Sequence, residues 1–151
     1  MAADNTAFWK GFAENSLRKT AAPGGGPLFT GIVVAKSIDP SIPASEAGDV
    51  IYKVGADLGQ VYKKELVTID RQTRAEPYLY MAGTQDLKFN GTAYVFISGG
   101  EDWLRAKLGN VGLRMSRGKT ALVYVTYNDE NDSKVVEVLE TQMSKARNLN
   151  K

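Results

Sequence analysis

Seven residues, Ala21-Ala-Pro-Gly-Gly-Gly-Pro27, separate two hydrophobic periodicities that cannot run into one another. Two prolines and three glycines in so short a run break helix and strand alike. Before the break, Phe8, Trp9, Phe12 and the Ser16-Leu17 pair fall at intervals of three and four, with Lys10, Glu14, Arg18 and Lys19 on the other side. That spacing predicts an amphipathic helix over 5–20, with Asp4 or Asn5 placed to cap its start. After the break, β-branched and aromatic residues alternate with polar ones for most of the chain. The expected fold class is mainly β: a β-sandwich or a partly open barrel of short antiparallel strands behind an N-terminal helix. The expected organisation is a helix at 1–20, a linker at 21–27, a β-rich domain at 28–140 and a polar C-terminal arm at 141–151.

Within the β-rich part, Leu28 to Lys36 holds a continuous apolar run suited to the middle of a sheet, and the Pro-containing segment Ser37 to Ala47 reads as a long loop. Asp49 to Val54 and Gln60 to Ile69 read as a hairpin about a Gly-bracketed turn. Its rival is a helix, because Leu58, Val61, Tyr62, Leu66 and Ile69 share one helical face; the consecutive Val67, Thr68 and Ile69 favour the strand. Pro77 to Ala82 and Ala93 to Ser98 are expected strands, and Asn90-Gly91 between them is a strong hairpin signal. Glu101 to Leu108, with acids first and bases last, predicts a short helix. Val111 to Met115 and Ala121 to Tyr127 form a further hairpin about Ser116 to Lys119. Lys134 to Glu140 is expected to return as a strand.

The chain has 151 residues, neither a histidine nor a cysteine, and a formal charge of +2. A chain of this size buries roughly 70% of the surface its unfolded form exposes, enough for one ordinary core. Without cysteine there is no disulfide framework, thiol nucleophile or zinc finger. Without histidine the commonest general base and metal ligand are gone, which leans the chain away from enzymes. No segment has the length or apolarity of an export signal or a membrane span, so the expected location is the cytoplasm, or a virion.

Two stretches approach known motifs and miss. Gly112 to Thr120 ends in Gly118-Lys119-Thr120, but five residues rather than four separate the glycines, and a strand follows where a phosphate loop needs a helix. Asp129 to Glu140 matches four positions of a calcium loop, yet Lys134 stands where that loop requires glycine. No serine elbow and no assignable carboxylate pair is present. No cofactor, metal ligand or catalytic residue is therefore assigned.

Two features carry functional content. The first is assembly: an aromatic helix on a tether, a long loop and several hairpin edges suit a non-enzymatic subunit of a homo-oligomeric or virion-like complex. Its partners would be copies of itself or other subunits, with Phe8, Trp9 and Phe12 as docking residues. The second is a set of cations interleaved with aromatics, namely Arg114, Arg117 and Lys119 with Tyr124 and Tyr127, which suits stacking and phosphate contact with single-stranded DNA or RNA. The order Arg117-Gly-Lys, Leu122-Val-Tyr-Val125, a polar turn and Val135-Val-Glu-Val138 resembles the last hairpin of OB-fold single-strand-binding proteins. That resemblance implies an OB-like domain as the alternative to assembly.

Overall fold

The computed structural model describes residues 5–55, 58–75 and 79–151. Seven antiparallel strands form one sheet in the order β2-β1-β7-β6-β5-β4-β3: β1 (Phe29–Lys36), β2 (Val50–Val54), β3 (Leu87–Phe89), β4 (Thr92–Gly99), β5 (Trp103–Leu108), β6 (Val111–Arg117) and β7 (Ala121–Asn128). Helix α1 (Thr6–Gly11) continues into a π-helical stretch, Phe12–Leu17; α2 (Lys63–Arg74) and α3 (Asp132–Asn148) complete the fold. The sheet curls into a half-barrel, so of the two expected architectures it is the partly open barrel.

Strand alternation sorts the core into two layers. Ile32, Val34, Val123, Val125 and Tyr127 point to one face, where they meet Trp9, Phe12 and Leu17 of the first helix and Val135, Leu139 and Met143 of α3. Val33, Leu113, Met115, Leu122 and Tyr124 point to the other face and pack with Leu66 and Ile69 of α2, and with Phe89, Phe96 and Leu104. The helix before the Pro/Gly run is therefore folded onto the same sheet as the residues after it, and an Ala21–Pro27 bridge closes the intervening turn.

The Asn90-Gly91 hairpin turn is present. Asn90 and Gly91 both take positive φ, 56° and 74°, as a type I′ turn requires, but they join β4 to the short β3. Residues 79–82 are not strand, and Pro77 and Tyr78 of the strand expected there lie outside the described residues. Asp4, the alternative cap, also lies outside them; Asn5 stands at the cap position but makes no capping hydrogen bond: its Oδ1 accepts from Lys151 Nζ at 3.0 Å and its Nδ2 donates to Thr120 Oγ1 at 3.2 Å.

Three expected elements were of the wrong type. Residues 63–74 are helix, since the face bearing Leu66, Ile69 and Thr73 is buried against the sheet and packing outweighs the local preference of Val67, Thr68 and Ile69. Residues 103–108 are strand, not helix: Leu104 and Ala106 are buried while Trp103, Arg105 and Lys107 face outward, a strict period of two. Residues 134–140, expected as a return strand, and most of 141–151, expected as a polar arm, lie in α3, whose buried positions Val135, Leu139, Met143 and Ala146 mark one helical stripe.

Candidate functional site

The strands differ in how many of their faces are covered. β6 and β7 are buried along almost their whole length, because α3 lies on one side of them and the α2 layer on the other. β5 alternates between exposed and buried residues, and β4 between partly exposed and buried ones. On the α3 side these two strands are open. Cross-strand pairing aligns Trp103 with Ser116, Arg105 with Arg114, and Val95 with Lys107, so Val95, Trp103, Arg105 and Lys107 form one continuous strip beside the N-terminal end of α3.

The strip is held in place by ions. Arg114 donates two hydrogen bonds to Asp132, at 2.8 and 2.9 Å, and its guanidinium lies 5.7 Å from the Trp103 ring centre, a cation–π distance. Tyr127 donates to the same carboxylate at 2.5 Å. Arg105 lies 3.4 Å from both Asp129 and Asp132, and Lys107 lies 3.7 Å from Asp129. Burial pushes the Asp132 carboxyl up, but the bonds from Arg114 and Tyr127 outweigh it and hold the pKa below its usual value. Burial, reinforced by the bond to Asp132, keeps the Tyr127 proton on well past the ordinary phenol range. Arg105 and Lys107 keep 28% and 48% of their side chains exposed, and Trp103 is 36% exposed. An exposed aromatic flanked by partly solvated cations is a combination common at macromolecular contacts.

The residues singled out from the sequence lie elsewhere or face inward. Trp9 is fully buried and Phe12 nearly so; Trp9 meets Phe8 and Phe12 edge to face, and the three ring centres lie 5.1–6.1 Å apart. Trp9 Nε1 donates to Thr120 Oγ1 at 3.1 Å, and the Lys151 ammonium lies 5.5 Å from the Phe8 ring centre. Tyr124 and Tyr127 are buried in opposite core layers. Arg117 is buried and binds Asp70 and Thr73 of α2, while Lys119 alone of that set is exposed. These aromatics cannot stack on bases, and Arg114 and Arg117 are already paired. Sequence reasoning missed Trp103, Arg105 and Lys107 as a strip because the segment was read as a helix, where the three would not share a face.

No family model matches the chain, and no curated protein matches it either. Solved structures do. A profilin II from Acanthamoeba castellanii superposes with a TM-score of 0.71 at 14% identity, covering 95% of this chain and 99% of that one. Schizosaccharomyces pombe profilin gives 0.72 at 13% identity over 95% and 99%, and rat profilin 2a gives 0.61 at 14% over 97% of each chain. The fold is thus that of profilins across almost the whole chain. This corrects the functional expectations. Neither the self-assembling or virion subunit nor the OB-like single-strand binder stands, since the neighbours are profilins. The OB resemblance fails internally as well, because its second strand is α3. Among the described residues no helix is long and apolar enough to cross a membrane.

Proposed function

We propose that this chain is a profilin-type protein that binds actin through the open strip on β4 and β5 and the adjoining end of α3. Profilins are actin-binding regulators of the cytoskeleton, and the observation that carries the reading is the superposition on them over 95% of the chain. The burial pattern supplies the surface. Two terminal helices cover β1, β7 and β6 on one face and stop short of β4 and β5, leaving Trp103 as an aromatic anchor between Arg105 and Lys107. Buried aromatic and Arg residues ringed by polar groups are what dominate the energy of such contacts. A cytoplasmic location is part of this reading.

Poly-proline is the other ligand class of profilins. Its recognition needs aromatic rings exposed in a groove, and here Trp9 is fully buried with Phe12 nearly so.

The test is titration of monomeric actin with the wild-type protein and with Trp103→Ala, by fluorescence of labelled actin at low salt. Wild type is expected to bind, and loss of an anchor of this kind weakens binding by about 2 kcal/mol, roughly thirtyfold. Lys107→Glu should slow association and remove much of its salt dependence. Absence of wild-type binding defeats the actin reading; unchanged binding by both variants defeats the choice of surface.

A further inference from the structure

The open face of β5 and its neighbour β6 carries two kinds of cation, and they differ in how the acids beside them hold them. Arg114 is locked. Its Nε and Nη2 meet the two oxygens of Asp132 at 2.8 and 2.9 Å, a bidentate charge-assisted pair, and its side chain is largely buried. Arg105 and Lys107 are held differently. Arg105 reaches Asp129 through Nη2 and Asp132 through Nε, both at 3.4 Å, and that Nε makes no hydrogen bond among the described residues. Lys107 Nζ stands 3.7 Å from Asp129 Oδ2. Well-formed bonds of this type run about 2.7–2.9 Å, so both cations are attracted to Asp129 without being locked to it.

The acid, by contrast, is fixed in place. Asp129 opens the single turn Asp129–Asn131 that leads into α3, and its backbone N–H donates to the Asn110 carbonyl at 2.8 Å, which ties it to the β5–β6 turn. That short turn is capped by Asn128, whose Oδ1 accepts from the Glu130 N–H at 3.0 Å. The cap is therefore independent of the Asp129 carboxylate, whose partners among the described residues are Arg105 and Lys107.

A fixed carboxylate beside two long, partly solvated cations acts on an incoming partner in one of two ways. It positions the cations, or it competes for them. Positioning needs short, directional bonds such as Asp132 gives Arg114. The distances at Asp129 are those of competition.

We infer that Asp129 is a built-in competitor for the ligand of this strip: in the free protein it holds Arg105 and Lys107, and an acidic surface on the partner must draw them away from it. The inference rests on the actin reading for the identity of the partner, while its chemistry requires only carboxylates presented to β5. Asp129 then restrains affinity and damps the salt dependence of binding, since part of the attraction that would draw an acidic surface is already spent inside the chain.

The test compares the full wild-type chain with Asp129→Asn and Asp129→Ser, two neutral replacements that leave the Asn128 cap in place. Glu130→Gln removes an equal charge from the next residue of the turn, which is exposed. Two acidic probes are used: labelled monomeric actin, and a hexaglutamate peptide followed by NMR of the ¹⁵N-labelled chain, each at low salt and at about 0.15 M. Both variants at 129 are expected to bind about three- to fivefold more tightly than wild type at low salt, the scale of a partly exposed ion pair, and to lose binding more steeply as salt rises. The peptide should shift amides at 103–107, and Glu130→Gln should change affinity by less than about twofold. Unchanged binding by the 129 variants overturns the inference, and weaker binding does so by making Asp129 a positioning group. An equal gain in Glu130→Gln overturns it as well, because loss of any nearby negative charge would then suffice. Peptide shifts away from β5, or none in any variant, also overturn it. Actin left unbound by every variant, with the peptide gain intact, defeats the actin reading and leaves the competition standing.

Discussion

At the scale of single residues, the molecule is closed by a few side chains that each satisfy several groups. Thr120 accepts from Trp9 Nε1 at 3.1 Å and from Asn5 Nδ2 at 3.2 Å, and donates to the Lys151 carbonyl at 2.8 Å, so one hydroxyl fastens the first helix and the last residue to the same turn. Gly112 does the opposite work by being absent: a Cβ there would fall 2.4 Å from the Tyr127 ring, and the bare backbone lets that ring lie flat across β6 and reach Asp132. Asp132 in turn gathers Arg114 and Tyr127. Its depressed pKa fixes the sign of a pH effect: the stabilisation is complete above the unfolded carboxyl value of about 3.9 and is lost as the pH falls through the lower folded value. Urea unfolding should therefore show stability dropping below about pH 4. Asp132→Asn should lose about 1.5–3 kcal/mol at pH 7, the scale of hydrogen bonds to charged groups, and show a shallower acid limb. An acid limb as steep as wild type would assign the effect to other carboxylates. Most of these partnerships are not legible in a linear sequence, because they join residues far apart in the chain; Tyr127 and Asp132, five residues apart, are the exception.

Among the elements, α2 is the one whose attachment depends on charge. Asp70 is buried on the face that meets the sheet and binds Arg117 of β6 and Arg74 one turn on, and its Oδ2 accepts from the Ile38 N–H at 2.7 Å. Thr73 also binds Arg117. Removing one partner of a buried pair leaves the other uncompensated, so Asp70→Ala should cost about 3–5 kcal/mol, whereas the double replacement Asp70→Leu with Arg117→Met should cost much less. Equal losses in the single and double variants would show that packing, and not the ion pair, seats the helix. The same element explains a misreading. The consecutive Val67, Thr68 and Ile69 favoured the strand reading, and the partner of Asp70 on β6 was invisible. β5 erred in the other direction, since acids first and bases last imitate a helix dipole pattern, while the alternation of Leu104 and Ala106 with Trp103, Arg105 and Lys107 was the stronger signal. For α3, Val135, Val136 and Val138 imitate a strand over the seven residues 134–140, and only a window reaching Met143 and Ala146 exposes the helical stripe.

For the molecule as a whole, coverage of the sheet is uneven, and that unevenness sets both stability and contact. β1, β7 and β6 lie between two layers of side chains, β4 and β5 have one open face, and β2 and β3 are the edges. Native-state hydrogen exchange should rank the amides in that order, with β7 and its neighbours opening only on global unfolding and β3, three residues long, exchanging fastest. Slow exchange in β3 matching that of β7 would mean the sheet opens only as one unit. The sequence by itself determined the mainly-β class, the leading aromatic helix, β1, β7 and the Asn90-Gly91 turn, because each follows from local periodicity or from a backbone conformation few residues tolerate. It also determined that histidine and thiol chemistry are absent. The tertiary structure alone decided that the aromatic helix turns Trp9 inward, that Tyr124 and Tyr127 are core rather than platform, and that Trp103, Arg105 and Lys107 stay outside. Which side of a strand is buried depends on where helices land across the sheet, and that is fixed by packing between segments distant in sequence.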